Sequence, residues 1–198
     1  MEKNTETKND TGKASFRRSA IRIRDMIDPG ERSSASKKIA DNLMKSGTLD
    51  EADHIALYAS YKSEVITDDI ASILLKEGKR LYYPLCITEN GDNLLKFFGV
   101  DDTETQLCEG YRGIREPDTE KCREVCRDVP EVILVPGVAF GRDLYRMGYG
   151  KGFYDRYLLD NNVLKIGLAY EKQLFETVPH DRYDIKLDLI VTEERIYG

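Results

Sequence analysis

The sequence lacks several features that would place it in a specialised class of protein. It has no tryptophan, only two histidines, and no apolar run near the roughly 20 residues that a membrane-spanning helix requires. Its net charge of -6 argues against nucleic acid as the main partner, because phosphate binding needs a basic surface. The polar start of the chain is not typical of a signal peptide. We therefore predict a disordered leader over residues 1–11 and a single domain over residues 12–198, without membrane or nucleic-acid partners.

Cysteine is also scarce, with four residues at Cys86, Cys108, Cys122 and Cys126. The last two are four positions apart, whereas zinc sites usually show shorter pairs and a second matching pair. Free thiols are the favoured interpretation and fit a cytoplasmic setting. A disulfide or a metal site is the alternative.

Helical and strand patterns alternate along the chain, and this predicts an α/β layered fold with a mixed, mostly parallel sheet. An Asn90-Gly91 turn between two strand patterns indicates one hairpin, and residues 101–130 are polar and irregular. Helices are predicted over residues 13–27, 29–45, 67–76 and 152–159, and strands over 54–59, 80–87, 93–100, 132–135, 165–169 and 187–192.

The first predicted helix has a basic edge beside an apolar stripe. At about 100° per residue, the stripe contains Phe16, Ala20, Ile23 and Ile27, and the edge contains Lys13, Arg17 and Arg24. Arg18 and Arg22 point elsewhere, toward water. Such an edge can hold an anion, although a solvated charged face is an equally good interpretation.

The segment most informative about chemistry is a loop with alternating glycines at Gly148, Gly150 and Gly152. Glycine lets backbone N–H groups approach an anion, and the following helix adds partial positive charge. Arg146 and Lys151 flank the glycines. The loop alone is weak evidence, because it matches neither the Walker A nor the dinucleotide-binding spacing and could be an ordinary tight turn.

Two carboxylates are candidate metal ligands. Asp155 follows the glycine loop, and a magnesium ion could bridge it to phosphate; alternatively it favours the helix dipole and needs no metal. Asp188, at the start of the last predicted strand, could supply a second oxygen.

The combined string resembles the motif of the 5-formyltetrahydrofolate cyclo-ligase family, also called methenyltetrahydrofolate synthetases. The family motif is an arginine, a hydrophobic residue, three alternating glycines and then aromatic-tyrosine-aspartate, which here spans residues 146–155. Other matches follow in order, at Lys13 and Arg17, Glu64, the element over residues 113–117, and the closing segment around Asp188. The resemblance covers residues 13–195. It implies a layered α/β/α fold similar to that of sugar-phosphate isomerases and CoA-transferases.

The resemblance implies that the protein uses magnesium and ATP to close the ring of 5-formyltetrahydrofolate, giving 5,10-methenyltetrahydrofolate, ADP and phosphate. It also implies a monomer whose partners are small molecules. It implies catalytic roles for Arg146, Lys151 and Tyr154, and metal binding by Asp155 and Asp188. It assigns ATP binding to Lys13, Arg17, Arg146, Met147, Gly148, Tyr149, Gly150, Lys151, Gly152, Phe153 and Tyr154. It assigns substrate binding to Arg17, Tyr58, Glu64, Tyr149 and Tyr154.

Two positions depart from the family pattern. Gly141 stands where the family often has aspartate, and Leu144 where it often has glycine, so both bear on the path of the loop. Four alternatives stay open: a related enzyme for another N-formyl or pterin substrate, a non-catalytic nucleotide-binding module, a sugar-phosphate isomerase, and an acyl-CoA transferase. ATP hydrolysis that depends on formylfolate separates the last two from a cyclo-ligase, because they need no ATP.

Overall fold

The computed structural model describes residues 3–110 and 113–198, with side chains from residue 12 onward. The helices are α1 (Lys3–Asp25), α2 (Pro29–Lys45), α3 (Asp68–Lys76) and α4 (Phe153–Leu158), with a short 3-10 turn at Glu171–Gln173. The strands are β1 (His54–Ala56), β2 (Arg80–Glu89), β3 (Asp92–Val100), β4 (Leu107–Glu109), β5 (Arg115–Pro117), β6 (Val132–Val135), β7 (Ala139–Gly141), β8 (Arg146–Met147), β9 (Leu164–Leu168), β10 (Leu174–Phe175), β11 (Leu189–Val191) and β12 (Ile196–Tyr197).

Each predicted helix and strand is present; α2 and β6 have the predicted ends, and the ends of the others are shifted. Helix α1 begins ten residues before the predicted start at residue 13 and ends two residues before the predicted end at residue 27. The disorder predicted for residues 1–11 stays a prediction, because residues 1–2 and the side chains of residues 3–11 lie outside the described part. The segment over residues 101–130 is less irregular than predicted, since strands β4 and β5 pair within it.

The main sheet has seven strands in the order β12-β11-β9-β6-β1-β2-β3. The strands from β11 to β2 run parallel, and β12 and β3 add antiparallel edges. This arrangement confirms the predicted mixed, mostly parallel sheet. The predicted hairpin is also confirmed: Asn90 and Gly91 have φ angles of 52° and 89°, which two-residue turns between twisted strands require.

Helices cover both faces of this sheet because the connections run in opposite directions. From β1 the chain passes through α3 to β2, whereas from β6 it passes through α4 to β9 on the other side of β6. Helices α2 and α3 pack on one face through Ile39, Leu43, Ile70 and Leu74. Tyr157 and Leu158 of α4 pack on the other face. The connections therefore diverge between β1 and β6, and we call the region outside the carboxyl ends of these two strands the crevice, because ligands of open α/β sheets bind there.

Helix α1 packs on a small sheet of order β10-β7-β8, which the sequence did not predict. Ala20 and Ile27 of the predicted stripe are buried, but Ile23 is 39% exposed, whereas Arg24 is only 1% exposed. The predicted stripe is wrong at this point because Arg24, one position on, enters the crevice between β1 and β6. Arg18 and Arg22 are exposed, as predicted.

The same coordinates bear on the cysteines and on membrane-spanning helices. All four cysteines lie in the described part and are free thiols, which confirms the favoured interpretation. Within residues 3–110 and 113–198, no helix has both the length and the apolar character needed to cross a membrane.

Candidate functional site

The crevice lies where the chain leaves β1 and β6. The segment after β1 carries Tyr58, Ser63 and Glu64, all of them buried, and Gly137 lies two residues after β6. Ligands of open α/β sheets bind outside the carboxyl ends of the strands at such a divergence point. The topology therefore brings Tyr58 and Glu64, both predicted to bind substrate, to the expected place.

Arg24 is the central cation of this crevice. Its Nε donates to Ser63 Oγ at 3.0 Å, its Nη1 donates to the carbonyl oxygen of Gly137 at 3.0 Å, and its Nη2 donates to the hydroxyl of Tyr149. Nη1 also lies 3.8 Å from Glu64 Oε1. We call Arg24, Tyr58, Ser63 and Glu64 the buried pocket.

Glu64 is a carboxylate held largely out of water. Burial raises the pKa of Glu64 to about 7, and this effect outweighs the opposing influence of Arg24 and of the Tyr61 amide, which donates to Oε2 at 3.0 Å. The protonation state of Glu64 therefore changes near neutral pH, where proton uptake and release are useful in catalysis.

Tyr58 and Tyr154 share the electrostatic environment of Glu64. Burial raises the pKa of each phenol well above its usual value, and the Glu64 charge adds to both shifts. The Tyr58 hydroxyl donates to the carbonyl oxygen of Val65 at 3.3 Å. Tyr154 lies under the Arg146 guanidinium, whose Cζ is 5.5 Å from the ring centroid. Both tyrosines are neutral at physiological pH and can serve as hydroxyl donors or packing surfaces.

The glycine loop, residues 148–152, passes directly over the basic edge of α1. Arg17 Nε donates to the carbonyl oxygen of Gly148 at 2.9 Å. Gly150 has a φ of 86°, and a Cβ atom there would lie 3.0 Å from the Arg17 guanidinium carbon. Glycine is thus favoured at this position by the left-handed backbone, and a side chain there would also be in tight contact with the Arg17 guanidinium. The basic edge is therefore not a fully solvated face, because Arg17 contacts the loop and Arg24 is buried; its role as an anion site stays a prediction.

Arg146 and Asp155 close the loop at its base. Arg146 Nη2 donates to Asp155 Oδ1 at 3.0 Å, and Arg146 is 4% exposed. Its Nε is the one buried side-chain nitrogen or oxygen in the described residues without a hydrogen-bond partner. Since native proteins rarely leave a buried donor unsatisfied, this guanidinium is suited to an additional anionic oxygen.

Lys13 lies one helical turn before Arg17 on α1. Its Nζ contacts Asp181 Oδ2 at 2.7 Å and Asp184 Oδ2 at 2.5 Å, and next to Asp184 the amide of Ile185 donates to Asp155 Oδ1 at 3.4 Å. Burial opposes the charged form, but the two hydrogen-bonded carboxylates raise the pKa of Lys13 overall. The structure therefore brings Lys13, Arg146 and Asp155 into one connected region.

The remaining loop residues differ in exposure. Met147 is buried beneath the loop, Phe153 is half-buried, and Tyr149 is 47% exposed although its hydroxyl contacts Arg24. Lys151 is exposed, and its carbonyl oxygen accepts from Asn93 Nδ2 at 3.0 Å. The Lys151 ammonium group is therefore available at the mouth of the site.

The structure does not join the two predicted metal ligands. Asp188 Oδ2 accepts from the amide of Lys165 at 2.7 Å and lies 2.9 Å from its Nζ, whereas Asp155 contacts Arg146. Within the described part of the chain, no group of three or more His, Cys, Asp or Glu residues could hold a metal. Among these residues, no hydrogen bond reaches Asp155 Oδ2 or Asp188 Oδ1, so each carboxylate keeps one free oxygen.

The two departures from the family pattern have a physical explanation. A Cβ atom at Gly141 would lie 2.0 Å from Asp143 Oδ1, so the side chain of Asp143 fills the space that an aspartate at 141 would need. Leu144 has a φ of 71°, a left-handed conformation that glycine adopts most easily, and glycine is the residue that the family pattern predicts there. The loop therefore keeps a glycine-like backbone at Leu144 despite the substitution.

Sequence reasoning missed three polar residues that shape the crevice. Tyr170 donates to the carbonyl oxygen of Glu64 at 3.0 Å, Gln173 donates to that of Gly137 at 3.0 Å, and Ser63 bridges Arg24 and Asp25. All three are buried. Their only signal in the sequence is that each follows the end of a strand closely, and this property is shared by many loop residues.

A crevice at the carboxyl edge of a mixed sheet, with a cation-flanked glycine loop and a buried carboxylate, is typical of a layered α/β enzyme. Comparison with known proteins agrees. The profile of the 5-formyltetrahydrofolate cyclo-ligase family matches residues 9–193. The chain therefore belongs to this family, whose members are ligases.

Individual relatives match over most of their length. A solved structure of 5,10-methenyltetrahydrofolate synthetase from Aquifex aeolicus is 34% identical, with a TM-score of 0.80 over 93% of this chain and 91% of that chain. The corresponding protein from Mycoplasma pneumoniae is 28% identical, with a TM-score of 0.73 over 91% and 98%. The 5-formyltetrahydrofolate cyclo-ligase of Escherichia coli K12 is 28% identical over 174 residues, which cover 86% of this chain and 94% of that protein.

Proposed function

We propose that the protein uses ATP and magnesium to convert 5-formyltetrahydrofolate to 5,10-methenyltetrahydrofolate, releasing ADP and phosphate. The observation that carries this proposal is the buried Arg146 guanidinium with an unpartnered Nε at the base of a glycine loop that α1 flanks with cations. Membership of the family and the names of its relatives support the choice of substrate.

The glycine loop is the proposed site of the triphosphate. The amides of residues 148–152 and the start of α4 supply hydrogen-bond donors, and Arg146, Lys151, Lys13 and Arg17 supply positive charge. Met147, Phe153 and Tyr154 form the floor beneath the nucleotide. Asp181 and Asp184 hold Lys13 when no ligand is bound and therefore compete with phosphate oxygens for its ammonium group.

The chemistry proceeds in two steps, and the catalytic residues act through position and charge. The formyl oxygen attacks the γ-phosphorus and the bond to the β-phosphate oxygen breaks, so ADP leaves and the oxygen becomes part of a phosphate ester. N10 then attacks the formyl carbon, loses its proton, and the carbon–oxygen bond breaks to release phosphate. Arg146 and Lys151 neutralise the phosphoryl oxygens, and Tyr154 donates to the transferred group.

The buried pocket is the proposed site of the folate. Glu64 accepts a hydrogen bond from the folate near its reacting nitrogens, and its pKa of about 7 makes it able to take the N10 proton at neutral pH. Tyr58, Tyr149 and Arg17 complete the contacts. Tyr149 belongs to the loop and its hydroxyl contacts Arg24 of the pocket, so it can contact both substrates.

Asp155 and Asp188 offer oxygen ligands of the type that Mg²⁺ prefers, each with one oxygen free of hydrogen bonds from the described residues. The two carboxylates do not share one site, because Asp188 pairs with Lys165 and Asp155 with Arg146, so Asp155, next to the glycine loop, is the residue that would hold magnesium. When bound there, magnesium would neutralise charge on the phosphates. We further propose that the enzyme acts as a cytoplasmic monomer, which the free thiols support.

A direct assay tests the proposal. Purified protein is mixed with ATP, magnesium and 5-formyltetrahydrofolate, and the ultraviolet absorbance of the methenyl product is followed together with ADP. We expect product only when all three are present. ADP release without folate, or product without ATP, would contradict the proposal, and product from a different N-formyl or pterin compound alone would redirect it.

A further inference from the structure

Arg24 contacts three separate segments that meet at the crevice. Its guanidinium donates to Ser63 after β1, to the carbonyl oxygen of Gly137 after β6, and to Tyr149 of the glycine loop. It thus links the carboxyl ends of two strands to the loop that follows β8.

The environment of Arg24 requires a guanidinium. The side chain is 1% exposed, and Nε, Nη1 and Nη2 point to three different acceptors. A planar fork reaches such acceptors in fixed directions, whereas the single ammonium group of lysine cannot. Ser63 Oγ in turn donates to Asp25 Oδ1, so the fork is held from α1 as well.

Two of the groups that Arg24 contacts belong to different parts of the site, one to the buried pocket and one to the glycine loop. We call these two parts the halves of the site. Glu64 Oε1 lies 3.8 Å from Nη1, and the Tyr149 hydroxyl accepts from Nη2. Cζ of Arg24 is also 5.5 Å from the centroid of the Tyr149 ring. Through one rigid group, the position of Glu64 and the position of the loop are therefore coupled.

We propose that Arg24 is a positioning residue that fixes Glu64 of the buried pocket and Tyr149 of the glycine loop relative to each other. The expected effect of Arg24 on turnover rests on the proposed function, because the proposed function assigns the buried pocket to folate and the glycine loop to ATP. The coupling of the two segments does not depend on that assignment.

The first experiment measures steady-state kinetics of Arg24→Lys, Tyr149→Phe and the double variant, with Arg22→Lys as a matched control on the exposed side of α1. Arg24→Lys is expected to raise KM for both ATP and 5-formyltetrahydrofolate. The double variant should differ at least about threefold from the product of the single effects, as residues in one hydrogen-bond network do. Unchanged KM values, or effects that multiply, would overturn the proposal.

The second experiment needs no activity. Hydrogen exchange followed by mass spectrometry compares wild type, Arg24→Lys and Arg22→Lys over residues 61–65 and 146–152. Faster exchange in both segments of Arg24→Lys alone is expected. Faster exchange confined to α1 would overturn the coupling. A wild-type protein without formylfolate-dependent turnover would instead refute the proposed function, and the exchange result would still decide the coupling.

Discussion

The buried pocket and the glycine loop hold their charged side chains in different environments. In the buried pocket, Arg24 and Glu64 are 1% and 7% exposed, and their partners are mostly neutral groups of the protein. Beside the glycine loop, Lys13 and Lys151 reach the surface, and Lys13 is held by carboxylates on an exposed segment. Buried charges fix geometry and shift pKa values, whereas surface charges are screened and can be exchanged for a ligand. The pocket should therefore govern stability and pH dependence, and the loop should govern nucleotide binding.

The largest effect on stability is expected for Arg24→Met. The change leaves Glu64 without its cation and the Gly137 carbonyl oxygen short of a donor, and breaking a buried ion pair costs about 3–5 kcal/mol. Urea unfolding measures the loss. Arg22→Met, on the exposed side of the same helix, should change the free energy of unfolding by less than about 0.5 kcal/mol. Equal losses in the two variants would remove the distinction between pocket and surface.

Arg146→Ala should have the largest effect on catalysis. It removes the buried donor at the base of the loop, and loss of one such donor to transition-state charge lowers kcat by about 10² to 10³-fold. Arg142→Ala, four residues earlier and exposed, is the control and should retain kcat. Initial rates at saturating substrates measure kcat of both variants. A near-normal kcat for Arg146→Ala would contradict the proposed phosphate site.

Glu64 should make stability depend on pH in an unusual direction. Because its folded pKa of about 7 exceeds the ordinary 4.5, the folded state binds an extra proton between these values, and stability falls as pH rises through this window. From pH 5 to pH 8, wild type should lose roughly 2–3 kcal/mol more than Glu64→Gln, which cannot titrate.

Unfolding in urea at the two pH values tests this difference, with Glu51→Gln as an exposed control. The proposed proton transfer adds a kinetic counterpart: kcat/KM of wild type should fall as pH drops below about 7. A wild-type stability difference equal to that of Glu64→Gln would show that the carboxylate is not buried as described.

The smallest effect on stability is expected for Lys13→Ala. Its pairs with Asp181 and Asp184 lie near the surface, and such pairs contribute about 1 kcal/mol or less. KM for ATP should nevertheless rise about tenfold, because one phosphate-binding charge is lost. Lys38→Ala on α2 should leave both quantities unchanged. Loss of stability without a change in KM would assign Lys13 a structural role only.

The sequence predicted the helices, the central strands and the glycine loop because these depend on local patterns. The basic edge of α1 was also visible, but the pattern could not show that Arg24, rather than Ile23, turns inward. That choice depends on Ser63 and Gly137, which lie 39 and 113 residues away from Arg24 in the chain. Strands β7, β8 and β10 were missed because each has only two or three residues, too few for periodicity to be read.

The central claim is that the formyl oxygen is phosphorylated and leaves in phosphate. The most direct test supplies 5-formyltetrahydrofolate labelled with ¹⁸O in the formyl group, together with ATP and magnesium, and analyses the released phosphate by mass spectrometry. The account predicts one ¹⁸O atom in the inorganic phosphate for each methenyl product formed. Unlabelled phosphate accompanying the same product would contradict it.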